Sequence, residues 1–401
     1  MKKFGDWFSL GKSWQFLSTV VIISAALSLL LVSHIETLLP GYSTTEIQTV
    51  AGIGTSAIID NPVNAPYKVT TLAINKVIDN PLLATRLSAA FFGVLTLGLF
   101  YIGIRHWHAR RTAFLATVLF ACSAWFLHIA RLGTADILLP FSILLLAVCG
   151  YWIATAEHTK FSYFAALLAI GLAIYTPGMV WFIALGIILR YKDIRLIKRR
   201  LPLPYQIGLY ILLFALVIAP VTYSAIEHPH TIRSLLGLPE HWPTIIEILR
   251  NFITLPVHLF IWSPENPQTS LSTLPLADGL AGILFPLGVY YYFKFRSLAR
   301  AKLLVVCFAI AAVLISLEGP VTTALLLPLV YIVVSGGIAL LLGQWLTVFP
   351  NNPFARSLGI LLLTLAVVMS CLYNLRSYFV AWPNNPQVKA EFAKTSEDLI
   401  Q

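Results

Sequence analysis

The residues best suited to chemistry lie in one polar stretch, 34–86, near the start of this 401-residue chain. Its acids and lysines are Glu36, Glu46, Asp60, Lys68, Lys76 and Asp79. A carboxylate such as Glu46 can take a proton from a hydroxyl group, and a cation such as Lys68 can stabilise a developing negative charge. A second polar turn adds Arg131 and Asp136. We interpret the first stretch as half of an active site.

Composition identifies the elements that must position these residues. Of the chain, 58% is hydrophobic and only 11% is charged, and the mean hydropathy is +0.82. Repeated apolar runs of about 18 or more residues are typical of transmembrane helices. The runs are too long and continuous for the strands of a membrane barrel. The composition therefore predicts an all-α polytopic membrane protein.

The apolar runs predict about eleven transmembrane helices. They are 16–34, 87–104, 112–128, 137–155, 162–175, 178–190, 205–225, 279–293, 303–317, 321–342 and 357–375. Residues 1–375 would form the transmembrane domain and 376–401 a short outer tail. Two long outer loops, 35–86 and 226–278, would carry helices that lie on the membrane surface.

The positive net charge of +10 reports orientation rather than a nucleic-acid partner. With the N-terminus inside, 18 of the 27 Lys and Arg residues fall on the inner connectors, together with only three acids. Short basic loops remain on the cytoplasmic side of a membrane. The sequence thus predicts a multi-pass protein of the cell membrane, with its N-terminus in the cytoplasm and its C-terminus outside.

Helix-capping signals divide the first outer loop. Ser43 and Glu46 fit a capping box that opens a helix extending to about Ile58. Pro66 precedes a second helix, 67–78, and Asn80 followed by a proline predicts an N-cap for the next span. Arg86 is expected to anchor that span at the interface.

The remaining outer segments carry weaker signals. Asp136 occupies the position expected for the N-cap of the fourth span. In the second loop, 243–262 is apolar but contains Pro256, which predicts a pair of surface helices. No Cys or His spacing indicates a metal site or a cofactor, and the four cysteines fall within predicted spans.

Three patches resemble the membrane region of the GT-C glycosyltransferases, in particular the protein-O-mannosyltransferase and aminoarabinose-transferase group. They read PGYSTTEIQTVAGI, NAPYKVTTLAINKVIDNPLLATRLSAAFFGVLT and ARLGTADILLPFSILLLA. The tail segment YFVAWPNNPQVKAEF is also similar to that group. The resemblance covers most of the chain in topology but only these patches in residues.

The resemblance implies transfer of a sugar from a polyprenyl-phosphate donor to an acceptor hydroxyl on the outer face. The family's usual base is an Asp that this motif lacks, which leaves Glu46 as the base. Arg131 would hold the phosphate, because an arginine fork engages two phosphate oxygens, and Lys68 is the second candidate. Asp136 would orient Arg131 or bind substrate. The family usually has Asp before the Glu, and here that position is Thr45.

Other interpretations of these residues remain open. Glu46 could serve only the capping box, Arg131 could extend to lipid headgroups, and Lys68 could be a solvated surface lysine. Two other functions remain open as well. A lipid-linked sugar flippase is disfavoured because the spans carry almost no charge, and an inactive relative that binds lipid phosphate is favoured by Thr45.

Overall fold

The computed structural model describes residues 25–26, 28–155 and 160–393. These residues form helices whose longest connection is 261–278, and no strand occurs among them. Residues 16–24 and 27 of the predicted span 16–34 fall outside the described residues. Within the described part of that span, residues 25–26 and 28–32 are helical. The all-helical prediction is therefore confirmed for the described part of the chain.

Eighteen α-helices are labelled here in chain order. They are α1 Thr44–Ala51, α2 Thr55–Asp60, α3 Ala65–Ile78, α4 Pro81–Trp107, α5 Arg110–Cys122, α6 Ala124–Arg131, α7 Leu138–Thr155, α8 Lys160–Ala173, α9 Met179–Arg200, α10 Leu203–Leu213, α11 Ala219–Glu227, α12 His230–Leu235, α13 Ile245–Phe260, α14 Gly279–Lys294, α15 Ala299–Ser316, α16 Leu326–Val348, α17 Pro353–Arg376 and α18 Pro386–Glu391. Single 3₁₀ turns, Ala135–Ile137 and Thr323–Leu325, precede α7 and α16.

Five helical segments are long and apolar enough to cross a membrane: Pro81–Trp107, Ala135–Ala154, Ala299–Ser316, Thr323–Val348 and Pro353–Ala381. A sixth becomes possible if the bent pair α5 and α6 is counted as one span. These segments make the chain a multi-pass membrane protein by length and composition. The count of eleven stays a prediction.

The bend between α5 and α6 corrects the predicted straight helix 112–128. The two helices meet at an angle of 62°. Ser123 lies between them in an extended conformation, and its hydroxyl accepts a hydrogen bond from the Phe126 N–H. A serine that caps a new helix ends the previous one, because its own backbone leaves the helical region. The bend directs α6 toward the outer loops.

Helix α16 lies at the centre of the bundle, and 83% of its most apolar 18-residue stretch is buried. Its closest neighbour is α14. A Cβ atom at Gly288 of α14 would overlap the Val333 carbonyl of α16, and one at Gly337 would overlap the Leu284 carbonyl. Small residues let two helices approach this closely in a membrane, where backbone contact and packing stabilise the pair.

Helices of the outer loops differ in two places from the predictions. The predicted helix 44–58 is broken at Gly52–Gly54 into α1 and α2, because Gly52 ends α1 as its C-cap. The predicted pair of helices at 243–262 is instead one helix, α13, which continues through Pro256. Buried Leu255 and Leu259 pack this part of α13 against the bundle and compensate for the backbone hydrogen bond that proline cannot donate.

Candidate functional site

Glu46 begins α1 in the predicted capping box, which is confirmed. The Ser43 hydroxyl accepts a hydrogen bond from the Glu46 N–H at 3.3 Å, and the Ser43 N–H donates to Glu46 Oε2 at 3.0 Å. This reciprocal pair satisfies two backbone donors at the start of the helix. It also fixes the Glu46 side chain toward the interior of the protein.

The partner of Glu46 is Arg86 of α4. Arg86 Nε donates to Glu46 Oε1 at 2.7 Å, and Nη2 donates to Oε2 at 2.9 Å. Glu46 is 0% exposed and Arg86 is 1% exposed. The prediction that Arg86 anchors its span at the membrane interface is therefore wrong. Burying a carboxylate is costly unless it is paired with a cation. The sequence does not indicate this pair because the two residues are 40 positions apart.

Further bonds extend this arrangement, which we call the Glu46–Arg86 cluster (Ser43, Glu46, Arg86 and Gly133). The Gly133 N–H donates to Glu46 Oε1 at 2.9 Å. Arg86 also donates to the carbonyls of Ile35 at 3.1 Å and Gly41 at 2.8 Å. The cluster thus joins the first outer loop, α4 and the turn after α6. Both oxygens of Glu46 are engaged, so this geometry supports a positioning role for Glu46 and not its predicted role as base.

Arg131, at the end of α6, is also enclosed. Its Nη1 and Nη2 donate to the carbonyls of Leu30 and Ser33, each at 2.6 Å. Its guanidinium lies 4.9 Å from the ring centre of Phe379. A cation beside the last carbonyls of a helix interacts favourably with the helix dipole. Arg131 therefore caps the helical segment 28–32, and it does not line the cavity described next.

A cavity of about 480 Å³ lies beneath the outer loops. Ligand pockets commonly have volumes of this order. The lining residues come from α1, the residue before α3, α6 and the turn after it, the second outer loop and the turn before α16. They are Thr45, Gln48, Thr49, Asn64, Trp125, Ile129, Leu132, Thr134, Ala135, Asp136, Asn266, Gln268, Thr269, Leu276, Thr322, Thr323 and Ala324. Amides and hydroxyls dominate, and none of these described residues is Lys, Arg or His.

Asp136 carries the only carboxylate among the described lining residues. It lies within the 3₁₀ turn Ala135–Ile137 and makes no capping hydrogen bond, so the predicted N-cap is wrong. Its oxygens accept hydrogen bonds from the hydroxyls of Thr134 and Thr322, each at the long distance of 3.4 Å. The carboxylate thus has weak partners and an adjacent cavity.

Helix α3 holds its position through Tyr67. The fully buried Tyr67 hydroxyl donates to the Thr85 carbonyl at 2.7 Å. Burial and, to a lesser extent, the charge of Glu46 raise the pKa of Tyr67 well above its ordinary value of 10.0, so the hydroxyl stays protonated. This bond ties α3 to α4 and thereby positions Asn64 and Lys68.

Lys68 lies one helical turn beyond Asn64, outside the cavity lining. Its amine donates to the Asn61 carbonyl at 2.7 Å. Partial burial lowers the pKa of Lys68 from 10.5 because desolvation disfavours the charged form.

A second, more open cavity of about 730 Å³ lies between the loop 34–40 and the segment after α17. Its lining includes His34 and Lys389 and, among the described residues, no carboxylate. Sequence reasoning missed this cavity because its two walls are about 340 residues apart in the chain. No group of three His, Cys, Asp or Glu side chains within metal-binding distance occurs in the described parts of the chain.

Comparisons with known proteins agree with this architecture. The model of the dolichyl-phosphate-mannose-protein mannosyltransferase family matches residues 61–231. The chain superposes on ArnT from Cupriavidus metallidurans in the apo state with a TM-score of 0.55 and 14% identity, over 94% of this chain and 77% of that one. ArnT bound to undecaprenyl phosphate gives 0.53 and 14%, over 93% and 77%.

A more distant structural neighbour is the oligosaccharyltransferase AglB from Archaeoglobus fulgidus, in complex with an inhibitory peptide and a dolichol-phosphate. Its TM-score is 0.52 at 13% identity, over 92% of this chain and 56% of that one. No curated protein matches the chain in sequence. The family match and the shared architecture confirm the predicted resemblance, and the chain has the fold of the GT-C glycosyltransferases.

Proposed function

We propose that this protein of GT-C fold transfers a sugar from a polyprenyl-phosphate donor to an acceptor hydroxyl at its outer face. The observation that carries the proposal is the cavity of about 480 Å³, lined by amides and hydroxyls with a single carboxylate among its described residues. Two structural neighbours of the same fold are in complex with undecaprenyl phosphate and with a dolichol-phosphate. A lipid-linked donor requires a catalyst within the membrane.

Asp136 is the residue that we assign as the base. The acceptor oxygen attacks the anomeric carbon of the sugar and gives its proton to the Asp136 carboxylate. The bond between that carbon and the phosphate oxygen breaks, and polyprenyl phosphate leaves with the electron pair. Asp136 suits this role because its hydroxyl partners lie at 3.4 Å and its carboxylate faces a cavity.

Lys68 is the cation that we assign to the departing phosphate. Its amine has one carbonyl partner, Asn61, and retains donors for a phosphate oxygen. It extends from the same helix that places Asn64 at the cavity. Arg131 is given a supporting role, since its two terminal nitrogens already hold the carbonyls of Leu30 and Ser33.

Glu46 becomes a positioning residue in this scheme. Its Oε1 holds the Gly133 N–H, three residues before Asp136 in the same turn. The hydrogen bonds of the Glu46–Arg86 cluster therefore hold the backbone that presents the base. This assignment replaces the expectation that Glu46 itself accepts the proton.

Two other functions have specific support. Thr45, in the position where the family usually has Asp, favours an inactive relative that binds lipid phosphate. A flippase is the remaining alternative. It would need charged groups or broken helices at mid-membrane. Among the described spans, α5 and α6 are the one bent pair.

The test measures polyprenyl phosphate released by purified protein in detergent from a panel of polyprenyl-phosphate hexoses and pentoses. We expect release with at least one donor when an acceptor hydroxyl is present. Glu36→Gln, which alters an exposed carboxylate of the first loop, is the matched control and should keep the wild-type rate. Binding of every donor without release would support the inactive relative. Movement of intact donor across proteoliposomes without release would support the flippase.

A further inference from the structure

A line of three polar side chains crosses the roof of the 480 Å³ cavity and reaches the segment after α17. The Thr45 hydroxyl donates to Gln268 Oε1 at 2.9 Å, and Gln268 Nε2 donates to Glu391 Oε1 at 2.7 Å. We call Thr45, Gln268 and Glu391 the roof relay. It joins the first outer loop, the second outer loop and α18, and Thr45 and Gln268 also line the cavity.

The direction of these hydrogen bonds follows from Glu391. An ionised carboxylate only accepts hydrogen bonds, so Gln268 must turn its NH₂ group toward Glu391 and its oxygen toward Thr45. The Thr45 hydroxyl then has to donate its one hydrogen to Gln268. The hydrogen-bond acceptor at Glu391 therefore determines which way the Gln268 amide faces, and through it the polarity of the Thr45 hydroxyl in the cavity wall.

The contact with Ser43 determines which hydrogen-bonding role remains for the Thr45 hydroxyl. The two hydroxyl oxygens lie 3.0 Å apart, while the distance from Ser43 Oγ to Glu46 Oε2 is longer, at 3.5 Å. With the Thr45 hydrogen committed to Gln268, Ser43 donates across the shorter contact. Thr45 keeps one free lone pair and no free hydrogen, so toward the cavity it can only accept a hydrogen bond.

The segment after α17 makes two more contacts with the second loop, and only the first of them adjoins the relay. Trp382 Nε1 donates to the Pro267 carbonyl at 2.8 Å, next to Gln268. Gln387 Nε2 donates to Glu265 Oε2 at 3.2 Å, farther from the cavity. Trp382 is 1% exposed, so this attachment belongs to the folded core.

We propose that Thr45 is a specificity-determining residue that accepts a hydrogen bond from a hydroxyl of a neutral sugar, in an orientation imposed by Gln268 and Glu391. The inference rests on the proposed function and names the chemical class of ligand that the cavity binds. The Asp136 carboxyl group is a second acceptor, and no cation lines the cavity among its described residues. These two acceptors favour a neutral group that donates hydrogen bonds over an ionised phosphate.

The test places a reporter thiol in the cavity wall through Thr269→Cys and measures its labelling by a maleimide. Methyl mannoside, chosen for the family model that the chain matches, and inorganic phosphate are the two protecting probes. The protein without Thr269→Cys corrects for labelling of the native thiols. Because this readout needs no turnover, it tests the relay even where sugar transfer is absent.

Three variants in this background separate orientation from mere attachment. Glu391→Gln keeps an acceptor for Gln268 and should retain mannoside protection. Glu391→Lys supplies a donor, so the Gln268 amide turns around and its NH₂ group donates to the Thr45 hydroxyl. We expect mannoside protection to weaken about tenfold, which is the effect of one hydrogen bond. Thr45→Val should show the same loss.

Gln387→Ala, which removes the contact with Glu265, is the matched control and should leave protection unchanged. Equal mannoside protection in Glu391→Gln and Glu391→Lys would overturn the orienting role of Glu391. Protection by phosphate as strong as that by mannoside, or no mannoside protection in the parent protein, would overturn the assigned ligand class. Loss of polyprenyl phosphate release with mannoside protection intact would count against the proposed function alone.

Discussion

Two carboxylates are held by the same outer turn in opposite surroundings. Glu46 accepts two hydrogen bonds from Arg86 and one each from the N–H groups of Ser43 and Gly133, and it has no exposed surface. Asp136 meets two hydroxyls at 3.4 Å beside a cavity. A saturated carboxylate stabilises the fold, whereas a weakly paired one remains able to take a proton from a ligand.

The largest expected effect follows from exchanging the Asp136 carboxylate for an amide. Asp136→Asn removes the proposed base and should lower polyprenyl phosphate release about 100-fold or more, the usual contribution of general base catalysis. Thermal unfolding in detergent should change little, because the replaced oxygens have only weak partners. A variant that retains wild-type release would remove Asp136 from the reaction.

Breaking the buried pair should act mainly on stability. Arg86→Met leaves the Glu46 carboxylate buried without its cation, and we expect the free energy of unfolding to fall by about 3–5 kcal/mol. Chemical unfolding in detergent measures this change. Arg250→Met alters an exposed arginine of α13 and should have little effect. An Arg86→Met protein as stable as wild type would mean that the cluster does not hold the outer loop.

Gly133 links the two regions and should affect both. A Cβ atom there would lie 2.5 Å from Thr85 Oγ1 and 3.0 Å from Glu46 Oε1. Gly133→Ala must displace the turn that carries Asp136, with an expected loss of about 1–3 kcal/mol in stability and about tenfold in release. In the same assays Gly98→Ala of α4, where a Cβ meets nothing within 4 Å, should resemble wild type. Equal behaviour of the two alanine variants would contradict the link.

The smallest effect is expected at Lys68, whose charge depends on pH. Burial lowers its pKa below 10.5, so the donor KM should rise several-fold as the pH increases through that lowered pKa. Lys68→Arg stays charged above pH 12 and should abolish the dependence. A lowered lysine pKa makes folding more favourable as the pH rises through this window, so unfolding would not explain weaker binding. An unchanged pH profile in Lys68→Arg would exclude Lys68 as the phosphate ligand.

Local signals in the sequence predicted local structure well. The capping box of Ser43 and Glu46 and the N-cap at Asn80 are present as predicted, because each depends on residues within one turn of a helix. Predictions failed where a local signal had a competing distant contact. Arg86 reads as an interface anchor in sequence, yet its partner lies 40 residues earlier.

The cavity also depends on contacts between distant segments, which local signals in the sequence do not predict. Its described lining combines residues from the first loop, the turn after α6, the second loop and the turn before α16. Asp136 was selected from the sequence, but Gln268 and Glu391 were not, since isolated polar residues in loops carry no pattern that relates them. Their chemistry exists only because the folded chain brings them within hydrogen-bond distance of Thr45.

Composition and charge bias by themselves determined that this chain is a helical, multi-pass membrane protein, because hydrophobic length and the placement of basic loops depend on sequence alone. The ordered patches near Glu46, Lys68 and Arg131 were enough to indicate the GT-C fold. Only the tertiary structure decided which carboxylate is enclosed and which faces the cavity, since protonation, burial and pairing depend on groups that are distant in sequence.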